Sequence, residues 1–75
     1  MHRVAIHNHL SREMGARRLS IKEVAERAGL AYGTVFGLYH DQAKRIEFAT
    51  LDKLCRALSC AVSDLLEYTP EESVA

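Results

Sequence analysis

The sequence predicts a single all-α domain of five short helices. Three observations carry that prediction. Apolar residues recur at three- and four-residue steps through most of the 75 residues, which is the period of a helix with one buried face. Cap and turn residues interrupt the pattern often enough to keep each helix short, with Ser20 and Gly29 the clearest. A chain of this length has room for one hydrophobic core. No apolar run approaches the roughly 20 residues of a membrane helix. The first residues, Met1 to His7, lack a signal-peptide core. A cytoplasmic protein is the expectation.

The first helix is expected from residue 4 to about 17. Val4, Ile6, Leu10 and Met14 form its inward stripe, and His7 and His9 fall off that stripe toward solvent. Gly15 is tolerated near the last turn, where Arg17 and Arg18 complement the negative helix end. Leu19, just before Ser20, is placed to staple against Val24.

Residues 20–40 hold the two central helices. Ser20 followed by Glu23 is a capping box, in which each side chain accepts from the other residue's amide. Ile21, Val24, Ala25 and Ala28 share one side of this second helix. Gly29 ends it, because a residue without Cβ enters the left-handed region at little cost. Leu30 plugs the turn. A third helix begins near Tyr32 and buries Val35 and Leu38, while small Ala25 lets the two backbones approach closely.

A fourth helix runs from about Phe48 to Leu58, with Phe48, Leu51, Leu54, Cys55 and Leu58 as core. A fifth, roughly Ser63 to Glu67, contributes Leu65 and Leu66, and Pro70 ends regular structure. Residues 1–70 are then one domain, and 71–75 a loose acidic tail. Leu66, Tyr68 and Val74 are candidates for an exposed apolar edge.

The net charge of zero hides an asymmetry. Residues 1–45 carry eight Lys/Arg and four Asp/Glu, a net +4; residues 46–75 carry two and six, a net −4. A dipolar chain of this kind suits a protein that presents one face to phosphate. Cys55 and Cys60 are read as two buried, reduced thiols. His2, His7, His9 and His40 have no metal-site spacing relative to them, so no metal is expected.

The pair of helices about a glycine turn has the form of a helix-turn-helix. Leu-Ser-Ile-Lys-Glu-Val-Ala-Glu-Arg-Ala-Gly-Leu-Ala (19–31) resembles the start of that motif in XRE/Cro-like regulators. The block from Leu38 to Cys60, followed by Asp-Leu-Leu-Glu-Tyr (64–68), is similar to the small single-domain branch of the same family. The likeness covers roughly residues 4 to 70. It implies a lambda-repressor-like DNA-binding fold and a cofactor-free transcriptional regulator, a repressor, acting on double-stranded DNA.

By that resemblance, helix 32–40 enters the major groove. Tyr32, Gly33 and Gly37 take the base-reading positions, flanked by Thr34 and Phe36. Phosphate contacts fall to Arg17, Arg18, Lys22, His40, Lys44 and Arg45. The sequence departs from the family pattern in places. Ala31 stands where a Ser or Thr cap is usual, and Ile21 where a Gln often holds phosphate. No Gln, Asn, Arg or Lys opens the reading helix. Phe36 offers an apolar face to thymine methyl groups, which suggests shape and methyl readout. The alternative is a module that binds a partner protein through Tyr32 and Phe36. A homodimer through the C-terminal helices, at Leu66 and Tyr68, is also expected by analogy. An enzyme is the poorest reading, since no phosphate-cradling Gly loop or catalytic constellation is present.

Overall fold

The computed structural model describes residues 5–70. Strand β1 (Ile6–Asn8) is followed by helices α1 (Leu10–Ala16), α2 (Ile21–Ala28), α3 (Tyr32–Tyr39), α4 (Phe48–Leu58) and α5 (Val62–Leu65), and then by strand β2 (Leu66–Tyr68). The two strands pair antiparallel, with Ile6 opposite Tyr68 and Asn8 opposite Leu66.

Each helix has a local cause. Ser20 and Glu23 form the expected capping box: the Ser20 hydroxyl accepts from the Glu23 amide at 3.1 Å, and the Glu23 carboxylate accepts from the Ser20 amide at 2.8 Å. These bonds hold the Glu23 carboxyl below its ordinary range. At its other end α2 closes on Gly29, at φ 69°. The Leu30 amide reaches back to the Ala25 carbonyl and the Gly29 amide to that of Glu26, which is the Schellman arrangement.

The same closure recurs at three other helix ends, on residues other than glycine. Arg18, Asp41 and Ser59 all have positive φ, between 53° and 59°. Behind each, the next amide bonds five residues back: Leu19 to Met14, Gln42 to Gly37, and Cys60 to Cys55. Four of the five helices therefore end in one geometry, which keeps them short and turns the chain sharply.

The core is one cluster. Leu10 and Met14 of α1, Val24, Ala25 and Ala28 of α2, Val35 of α3, Leu51, Leu54 and Leu58 of α4, and Leu65 of α5 are buried. Leu19, Leu30 and Leu38 pack partly against it. Helix α2 lies between α3 and α4. Buried Ala25 at the crossing leaves room for α3.

The structure corrects several expectations. The first helix starts at Leu10, and residues 6–8 are strand. Ile6 is consequently exposed instead of inward; Val4 lies outside the described residues. The fifth helix ends at Leu65, and Leu66 to Tyr68 are strand, so the proposed C-terminal edge is a sheet and not a helix. Phe48 is 89% exposed: it occupies the first turn of α4, beyond the edge of the core that Leu51 enters. Cys55 and Cys60 are free but half-buried. Burial, with the neighbouring Cys55 next, raises the Cys60 thiol above its ordinary value. His9, expected in solvent, lies 2.6 Å from a Glu67 carboxylate oxygen. Val74 and the acidic tail fall outside the described residues.

Candidate nucleic-acid interface

Helix α3 is held from three sides. Val35 is fully buried and Leu38 packs partly on the core, which fixes the inward face. The Asn8 side chain donates to the Leu38 carbonyl at 2.6 Å, while its own oxygen accepts from the Leu10 amide at 2.8 Å. One residue of β1 thus starts α1 and anchors the last turn of α3. Finally, the Asp41 closure fixes where the chain leaves the helix.

The start of α3 is less well kept. Ala31 is the N-cap and supplies no side-chain acceptor. An oxygen there is typically worth about 1 kcal/mol, so the departure noted in the sequence has a structural counterpart.

The outward side of α3 is aromatic. Tyr32 is 54% and Phe36 39% exposed. Their ring centroids lie 6.1 Å apart, and the His40 ring stands 4.3 Å beyond Phe36. Tyr39 meets His40 edge-on at 5.0 Å. Beside this row, Gly33 and Gly37 leave bare backbone, and a methyl group built on either meets nothing within 4 Å. On the glycine side the helix faces a cleft of about 270 Å³, whose walls include Thr34, Arg45 and Thr50.

Exposed cations lie in the segments before and after α3. Lys44 and Arg45 are exposed in the loop after α3, Lys22 in the first turn of α2, and Arg18 in the turn before it. Among the described residues none of the four is ion-paired. Arg17 differs. Its guanidinium donates to the Leu58 carbonyl, the Glu13 carbonyl and the Glu13 carboxylate, each at 2.8 Å. These bonds join α1 to α4 through Nε and Nη1. A cleft of about 590 Å³ under the 41–46 loop is walled by apolar Leu38, Leu51 and Leu54, with Lys44 and Arg45 at its edge. The loop borders this cleft and is tied to the core through Ile46.

Asn8 was not singled out in the sequence as a positioning residue. Its only local signal was an amide side chain two residues before Leu10, the first residue of the Leu10/Met14 stripe, which is also where a helix start is commonly capped.

Residues 9–71 match the Cro/C1-type helix-turn-helix DNA-binding domain. The chain belongs to that family. The Cro/C1-type match spans α1 to β2 and so includes α3 and the helices packed on it, while β1, whose Asn8 anchors the last turn of α3, lies just before it. An uncharacterized HTH-type transcriptional regulator of Bacillus subtilis (strain 168), YozG, is 36% identical over 59 residues, covering 79% of this chain and 70% of that protein. A chain in the solved SinR protein/SinI protein complex superposes with a TM-score of 0.69 at 20% identity, over 73% of this chain. This chain spans about half (53%) of that one, and the likeness shows the fold. Cro/C1-type domains are DNA-binding regulators and not a class of enzyme, so this chain is a DNA-binding regulator with a lambda-repressor-like fold. None of its described helices is long and apolar enough to cross a membrane.

Proposed function

We propose that this Cro/C1-type domain represses transcription by seating α3 in the major groove of a specific double-stranded operator. The observation that carries the reading is the outward face of α3. It is exposed and anchored by the Asn8 bond, and the segments before and after it carry four exposed cations with no acidic partner among the described residues. Tyr32, Gly33, Thr34, Phe36 and Gly37 then face base edges. Arg18, Lys22, Lys44 and Arg45 meet phosphate, with His40 at the end of the helix beside them.

Two copies would join through the β1–β2 end. Tyr68, 66% exposed, stands opposite Ile6, 54% exposed, and together they form an apolar step on the sheet. A two-fold pair places its reading helices about 34 Å apart, one turn of DNA.

The test is enrichment of random duplex DNA by the purified protein at about 0.1 M salt, where long-range phosphate attraction is screened. The expected result is an inverted repeat with half-sites one turn apart. Failure to enrich any sequence would overturn the reading. The exposed aromatic row favours a second one, in which Tyr32 and Phe36 bind a partner protein, and that outcome would leave it standing.

A further inference from the structure

We infer that the aromatic ridge of α3 recognises the 5-methyl groups of pyrimidines in the major groove. This inference rests on the DNA-binding reading above and names what that same face reads. With 3.6 residues per turn, the side opposite buried Val35 and Leu38 carries Tyr32, Phe36 and His40 in one row, with Gly33 and Gly37 alongside. The rings follow one another at 6.1 and 4.3 Å; Phe36, at the centre of the row, is its wholly apolar member, between the Tyr32 phenol and the His40 imidazole.

Between Tyr32 and Tyr39 there is no amide, guanidinium or ammonium group. The usual two-bond partners of guanine and adenine are therefore missing. An aromatic ring pressed on a base-edge donor or acceptor leaves that group without water or partner, which is costly. The pyrimidine 5-methyl is the one apolar group on the major-groove edge, and the ridge is complementary to it. The bare glycines make the ridge stand proud of its own helix. The cleft beside them has Arg45 in its wall, with Glu47 also lining it. Exposed Lys44 and Arg45, in the loop that follows α3, suit a polyanion that carries methyl groups better than they suit an apolar peptide.

The test takes DNA enriched from a random duplex pool and compares it with a copy in which every dT is replaced by dU. The protein is the full chain, with Phe36→Ala and Tyr32→Ala alongside and the helicity of each checked. Each methyl lost under α3 is expected to weaken binding about fourfold, the value of burying one such group. Phe36→Ala is expected to bind the dT and dU forms with a smaller difference than the unchanged protein does. Tyr32→Ala gives the same comparison should Phe36→Ala fail to fold. Equal binding of the two DNAs by the unchanged protein would overturn methyl recognition and leave sequence-specific binding intact. If no sequence is enriched at all, both proposals fall together.

Discussion

The Asn8 side chain ties strand β1 to the last turn of α3, donating to the Leu38 carbonyl at 2.6 Å across thirty residues of sequence. The same side chain accepts from the Leu10 amide. Asn8→Asp keeps the acceptor and loses the donor, so it separates the two duties. Placing a carboxylate against the Leu38 carbonyl is expected to lower stability by about 1–3 kcal/mol. DNA affinity should fall with it, because the end of α3 loses its anchor. Urea melts and DNA titrations on one preparation check both; full stability would show the bond to be idle.

The pair of His9 and Glu67 gives a pH dependence of known sign. The hydrogen bond from His9, and then its charge, hold the Glu67 carboxyl below the ordinary value of 4.5. A depressed carboxylate stabilises the fold fully above that ordinary value. The contribution is lost as pH falls through the lower folded value. Glu23, depressed by the Ser20 amide, acts in the same direction. Glu67→Gln should therefore flatten the acid side of a melting-temperature profile, and His9→Ala should do the same. Profiles that superpose on the unchanged protein's below pH 4.5 would refute this.

Helix closure predicts two changes of opposite sign. Ser59 holds φ 53° at the end of α4 although it has a Cβ. Ser59→Gly relieves a strain of roughly 1 kcal/mol. Gly29 holds φ 69° without that strain, so Gly29→Ala should lose about as much. For a domain of this size the shifts are about 4–8 °C per kcal/mol. Thermal denaturation of the two variants checks the signs.

The phosphate assignment of Lys44 and Arg45 has its own signature. Replacing both with Ala should leave melting unchanged, since both are exposed. It should weaken DNA binding at every sequence and reduce the salt slope by about two. An unaltered slope would move the two cations off the DNA.

Helices α2, α3 and α4 were legible because their causes are local. Ser20 with Glu23, Gly29, and the spacing of Leu51, Leu54 and Leu58 can all be read within a few residues. The ends were not. Ile6 stands four residues before Leu10 and imitates a helical stripe, but its conformation is set by Tyr68 from the far end of the chain. Phe48 has the right spacing for the core and the wrong position along the helix to reach it. Three of the four left-handed closures fall on Arg18, Asp41 and Ser59, where no glycine announces them. Of the α3 face, the outward placement of Tyr32 and Phe36 was visible in the sequence. The stacking of His40 on Phe36 and the bond from Asn8 depend on tertiary structure.

The sheet also makes the domain nearly a ring. The Thr69 amide donates to the Ala5 carbonyl at 3.0 Å, so the two ends of the folded body are a single hydrogen bond apart. A short bridge would join them with little loss of geometry. The chain would then tolerate being opened in the 42–45 loop, which borders a cleft and carries little of the core. Such a permuted chain would keep every helix and cut only the path between α3 and α4, separating what the loop does for DNA from what it does for the fold.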